Sequence, residues 1–207
     1  MRELVVIDFE TTGLSPGQGE RATEVAAVLI NETGIVDRYA SLMNAGRAIP
    51  AFIQQLTGIS NAMIRTAPQS EVVMAQLHAF IKGRPLVAHN ASFDQGFLKA
   101  ELERIGKPCP ADLLCSLRVA RRLYPEMPNH KLETLVRHAR IEPIGQYHRA
   151  LADAEVTALL WLHMQKKLQR DFALPEVPLE LMLRIQAAPT KGLAKCVDTF
   201  KRRTWPG

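Results

Sequence analysis

The sequence predicts an α/β domain in which helices layer against a mixed β-sheet. Three observations carry this. An apolar, β-branched run opens the chain at residues 4–7, two more apolar runs follow across short connections, and helical and strand-like segments alternate afterwards. Residues 24–30 (EVAAVLI) form the second run, and Gly34 separates it from a third over 35–43. Connections this short join neighbouring antiparallel strands, so the first three strands form a meander.

Residues 49–66 hold two short helical pieces broken at Gly58. A longer helix is expected over 70–81, with Ser70 as N-cap and Gly83-Arg84-Pro85 as its stop. Residues 86–89 read as a fourth strand and 92–105 as a helix ending at Gly106. A fifth strand is expected over 113–117, then helices up to Leu123, over 131–139 and over 149–170. The last has Ala150, Ala154, Thr157, Ala158, Trp161 and Met164 at packing positions. Beyond residue 171, Pro175, Pro178 and Pro189 punctuate a tail with one expected helix at 179–187. The expected division is therefore a domain over 1–172 and a C-terminal extension over 173–207.

Composition sets bounds on function. Of the 207 residues, 47% are hydrophobic and 23% charged, values of an ordinary globular chain. No apolar run approaches the roughly 20 residues that span a bilayer, and the first strand begins too early for a signal peptide. Cys109, Cys115 and Cys196 leave an odd count without metal-type spacing, which suits a reducing compartment; a cytoplasmic location without membrane contact is expected. Net charge is +5, and the extension carries six Lys/Arg against three Asp/Glu. That excess leans weakly toward polyanionic partners.

Chemistry enters with Asp8 and Glu10. Residues two apart on a strand point the same way, so two carboxylates crowd the end of a buried strand. Their repulsion calls for positive charge, and a divalent cation with oxygen ligands supplies it. Two further acids stand at predicted helix starts: Asp94 within His89-Asn90-Ala91-Ser92-Phe93-Asp94, and Asp153 within His148-Arg149-Ala150-Leu151-Ala152-Asp153. Converging at one edge of the sheet, four acids and the His148 imidazole could hold Mg²⁺ or Mn²⁺. Two such ions stabilise the attacking and leaving oxygens of a phosphoryl displacement, and a histidine can take the proton of the attacking water. Arg118, Arg121, Arg122 and Arg149 could neutralise phosphates, although an exposed helix face is their ordinary role.

Three blocks, DFETTG (8–13), HNASFD (89–94) and HRALADA (148–154), resemble the DEDDh 3′–5′ exonuclease family. The similarity is greatest to the branch holding the proofreading epsilon subunit of bacterial DNA polymerase III and its free-standing relatives. Residues 56–60 (LTGIS), 120–125 (ARRLYP) and 129–135 (NHKLETL) resemble the same branch, so the likeness covers about 1–172. Cys115-Ser116 departs from the polar pair many relatives carry there.

The resemblance implies a ribonuclease H-like fold, a mixed five-stranded sheet of a three-strand antiparallel meander plus parallel strands, flanked by helices. It also implies two divalent cations, Mg²⁺ or Mn²⁺. Asp8 would bridge them, Glu10 and Asp153 would help hold the one that activates water, Asp94 would support the second, and His148 would be the general base. Thr11, Thr12, Gly13 and Leu14 would contact the substrate, Leu14 by packing on a base, and Asn90 would either contact it as well or tie its own turn by side-chain hydrogen bonds.

The expected activity is hydrolysis of phosphodiesters from the 3′ end of single-stranded or frayed DNA, releasing 5′-mononucleotides in proofreading or repair. The alternatives are an exoribonuclease on short or structured RNA ends and an inactive nucleic-acid-binding scaffold. A polymerase or repair assembly reached through the extension is the expected protein partner.

Overall fold

The computed structural model describes residues 3–110, 113–142 and 148–205. Its centre is one five-stranded sheet in the order β3-β2-β1-β4-β5. Strands β1 (Leu4–Thr11), β2 (Ala22–Asn31) and β3 (Gly34–Leu42) form the expected antiparallel meander. Strands β4 (Leu86–Ala88) and β5 (Leu113–Cys115) add in parallel beyond β1. The sheet is thus mixed, as predicted, and β1 lies at its middle.

Alternation along β1 decides what each face does. Val5, Ile7 and Phe9 pack with helices α3 (Ser70–Ile81) and α4 (Ser92–Arg104) on one face. Leu4 and Val6 join a second core made with α5 (Ser116–Leu123), α6 (Leu132–His138) and the long α7 (Ala150–Phe172). Asp8 and Glu10 continue the register of Leu4 and Val6, so they belong to the α7 face. Ala150, Ala154 and Ala158 recur at four-residue spacing in that core. Their small side chains let α7 approach the sheet closely. The short helices α1 (Ala51–Thr57) and α2 (Asn61–Thr66) cover a separate small core of Ile49, Ile53, Ile59 and Ile64.

Three local expectations are corrected. Gln69, not Ser70, is the N-cap of α3; the Ser70 hydroxyl instead accepts from the Arg21 guanidinium at 3.0 Å. The fifth strand ends at Cys115 because α5 begins at Ser116. The extension holds two helices rather than one: α8 (Leu179–Ala187) and α9 (Leu193–Thr204). Leu181, Met182, Ile185, Val197 and Phe200 are buried in the α7-side core, so the extension packs against the domain. Mixed polarity hid α9 from periodicity, because its buried contacts are few while its outer face carries Lys195, Arg202 and Arg203.

Candidate active site

The last turns of β1 carry Asp8 and Glu10 side by side into the space beneath the start of α7. One carboxylate oxygen from each of Asp8, Glu10 and Asp153 lies within 4.8 Å of the other two. Burial and mutual repulsion act together on these acids. The Asp8 carboxyl is held well above the usual carboxylate range, first by burial and then by Asp94, Glu10 and Asp153. Burial, then Asp153 and Glu24, pushes Glu10 up to about 8. Such a cluster ionises fully only when positive charge enters it.

Asp153 and His148 are delivered by one helix start. Asp153 lies in the first turn of α7 and its Oδ2 accepts the His148 backbone N–H at 2.9 Å. His148 adopts a left-handed backbone (φ 61°) with its side chain exposed beside the cluster. The approach over 143–147 lies outside the described residues.

Glu24, which the sequence reading passed over as a strand residue, faces this same site. It stands directly opposite Glu10 in the β1–β2 register and is buried. Its Oε1 accepts from Arg149 Nη2 at 2.7 Å, and its Oε2 from Arg149 Nε at 3.1 Å and the Ala150 N–H at 3.0 Å. Arg149 is thus bound to protein rather than left as a free phosphate contact. The signal was present: Glu24 is the lone acid at the head of an otherwise apolar strand.

Asp94 is fixed from the opposite side. It is buried in the first turn of α4, and its Oδ1 accepts the Phe9 N–H at 3.1 Å, which anchors it between the two β1 acids. Burial pushes its carboxyl up to about 8. An ion pair holds α4 itself: Arg21 forks onto Glu101 at 2.7 and 2.9 Å. His89, at the end of β4, contacts Ser116 Oγ (2.8 Å) and the His130 carbonyl (3.0 Å) through its two ring nitrogens. Burial lowers its pKa to about 4, so the ring is neutral: one N–H donates to the carbonyl and the other nitrogen accepts from the hydroxyl. His89 ties the end of β4 to α5 and to the His130 segment.

The predicted substrate residues divide into two groups. Thr11 and Thr12 are buried, and their hydroxyls serve the loop itself: Thr11 donates to the Gly13 carbonyl at 2.6 Å, and Thr12 donates to Glu20 while accepting the Arg21 N–H at 3.0 Å. A Cβ on Gly13 would lie 2.7 Å from Glu20 side-chain carbons, so a larger residue there would displace Glu20 from Thr12 and Arg47. Leu14, in contrast, is 85% exposed, four residues beyond Glu10 in the chain. Asn90 is exposed in a left-handed conformation (φ 64°); among the described residues its side chain bonds to nothing, and only its carbonyl is used, by Phe93 N–H at 3.0 Å.

These residues fit a divalent cation. The donors are carboxylate oxygens, which suit a hard ion. Asp153 Oδ1 is buried with no hydrogen-bond partner, a cost that a ligated ion would remove. The sequence match decides the family: residues 5–161 fit the RNase_T model, described as Exonuclease. The chain belongs to this exonuclease family, whose members depend on divalent metal.

Among similar exonucleases, the 3′-5′ exonuclease DinG of Bacillus subtilis (strain 168) is 36% identical over 200 residues, covering 96% of this chain and 21% of that protein. A PolC-type DNA polymerase III from Caldanaerobacter subterraneus subsp. tengcongensis is 39% identical over 167 residues, covering 81% of this chain and 12% of the polymerase. The chain therefore spans only a small part of these relatives. Exonuclease X in complex with 5′-overhanging duplex DNA superimposes with TM-score 0.68 and 26% identity, covering 88% of this chain and 99% of that one. The E. coli exonuclease I complex with a dA16 oligonucleotide shares the fold, at TM-score 0.75 and 19% identity over 89% of this chain and 44% of that one.

Proposed function

We propose that the chain is a 3′–5′ exonuclease that removes 5′-mononucleotides from single-stranded or frayed DNA, using two divalent cations, Mg²⁺ or Mn²⁺. The observation that carries this reading is the convergence of Asp8, Glu10 and Asp153, with Asp94 anchored alongside and His148 at the same helix start. Asp8, Glu10 and Asp153 hold the cations, with Asp94 in support. When bound, the cations supply the charge that stabilises the attacking and leaving oxygens. His148, exposed at the rim, accepts the proton of water as its oxygen bonds to phosphorus and the bond to the 3′ oxygen of the shortened strand breaks. Leu14 packs against the terminal base, and the backbone of residues 11–13, held rigid by Thr11, Thr12 and Glu20, lies beside the sugar. DNA is favoured over RNA because exonuclease X, the 26%-identical neighbour, is described with duplex DNA. The PolC-type relatives support a place in a polymerase or repair assembly, for which the extension is the contact this reading assigns. In this reading residues 1–172 form the catalytic unit and 173–207 the extension that packs on it.

The test is product analysis on labelled DNA and RNA strands of identical sequence with Mg²⁺ or Mn²⁺. Mononucleotide release from DNA, lost in Asp8→Ala and Asp153→Ala and on adding EDTA, is expected. His148→Ala is expected to cut turnover by about 10²–10⁴-fold while sparing metal binding. Undiminished activity in folded Asp8→Ala overturns the assignment, and faster RNA degradation changes the substrate to RNA.

A further inference from the structure

We propose that Glu24 and Arg149 form a latch that sets the start of α7, and that Glu24 is a positioning residue for Asp153 and His148. The proposal rests on the exonuclease reading above. Glu24 sits in the sheet, on β2, whereas Arg149 sits between His148 and the first residue of α7. The guanidinium fork reaches both Glu24 oxygens, and the Ala150 N–H adds a third bond from the helix end. One residue before Arg149, the His148 N–H donates to Asp153 Oδ2. A continuous chain of bonds therefore runs from β2 through Arg149 and Ala150 to the two α7-side site residues. Loosening Glu24 frees the only segment that carries both of them.

The placement of Glu24 argues for such a role. A carboxylate directly opposite Glu10 is destabilising, and a buried ion pair seldom stabilises more than well-packed apolar residues would. Nor does Glu24 belong to the group of oxygens that could share an ion, which among the described residues is Asp8, Glu10 and Asp153, while its own oxygens accept from Arg149 and Ala150. Its carboxylate holds the guanidinium while Asp8, Glu10 and Asp153 remain grouped for the cation. Geometry of this kind, where an outer group orients ligands it does not join, is common around metal sites.

The experiment compares the intact chain with Glu24→Gln, and with the paired apolar replacement Glu24→Met/Arg149→Leu, which removes both charges together. Thermal midpoints, Mn²⁺ affinity without nucleic acid, and kcat and KM on a DNA oligonucleotide are measured for each. The paired variant is expected to melt at or above the parent's midpoint, yet to lose about 10–100-fold in Mn²⁺ affinity and kcat with KM unchanged. Glu24→Gln is expected to show the same direction. A folded paired variant with the parent's Mn²⁺ affinity and kcat overturns the latch and leaves the pair a packing feature. Should the paired variant fail to fold, folded Glu24→Gln with parental Mn²⁺ affinity and kcat overturns it equally. If the parent binds Mn²⁺ but degrades no strand, the exonuclease reading fails, and the Mn²⁺ titration still decides the latch.

Discussion

Two acids of the site are held by backbone amides. Asp94 is held by a β1 amide and Asp153 by the His148 amide, and Glu10 faces the latched Glu24. This crowding has a consequence for stability without metal. Glu10 has an ordinary value of 4.5 and a folded value of about 8, and Asp94 moves from 3.8 to about 8. Between those values the folded chain binds more protons than the unfolded one, so stability falls as pH rises. Metal-free protein is therefore expected to melt progressively lower as pH rises from about 5 to 8, with Asp8, Asp153, Glu24, Arg149 and His148 facing the same space. Added Mn²⁺ should remove most of this loss, because the cation favours the ionised acids. Melting curves with EDTA and with Mn²⁺ check it; a metal-free midpoint that rises through that window contradicts the burial of these acids.

At the scale of elements, the extension covers one edge of the sheet. β5 pairs with β4 on one side only, and Gln186 Oε1 of α8 accepts the Cys115 N–H at 2.8 Å. Arg122 of α5 donates through Nε to the Ala188 carbonyl at 2.9 Å, which ties the same helix end down. Phe200 of α9 is buried against Trp205, ring centroids 5.7 Å apart, with the Arg184 guanidinium over its face. Phe200→Ala should therefore cost about 3–5 kcal/mol in denaturant unfolding, as for a core aromatic. A loss near zero would mean that the extension is a solvated tail after all.

For the whole molecule, the mixed order places β1 at the centre, where neighbours on both sides fix its backbone. The positive balance of +5 is spread unevenly along the chain, with six Lys/Arg against three Asp/Glu in residues 173–207. Of the arginines considered for phosphate contact, Arg149 is bound to Glu24 and Arg122 to carbonyls. Arg118 and Arg121 are exposed and carry no ion pair among the described residues. α5 begins at Ser116, which contacts His89, the Arg121 charge acts on that ring, and Arg118 and Arg121 are three residues apart on one helix face, so a strand passing this end of α5 would meet both. Replacing them with glutamine should flatten the dependence of log affinity on log salt by about 1.4 for a single-stranded oligonucleotide, two phosphate contacts at about 0.7 each. An unchanged slope in a salt titration means that the strand takes another course. No helix among the described residues is long and apolar enough to cross a membrane.

The meander, the alternation after it, and the grouping of Asp8, Glu10, Asp94, Asp153 and His148 were legible from the sequence. Apolar runs and acids at element ends are local patterns that one strand or one helix start expresses by itself, and the three motif blocks linked those acids through their family resemblance. Cap choice at Gln69, the packed α9 and the use of Thr11 and Thr12 within their own loop were not legible, because each depends on a distant partner: Arg21 for Ser70, the α7 core for Val197 and Phe200, Glu20 for Thr12. The same holds for Glu24 and Arg149, which lie 125 residues apart in the chain. The sequence by itself determined that Asp8 and Glu10 share one face of a strand, because a spacing of two fixes the direction of a side chain there. Only the tertiary structure decided that a fifth acid stands beside them and is bound to Arg149. Pairing across that separation is set by sheet register and helix docking, not by any local rule.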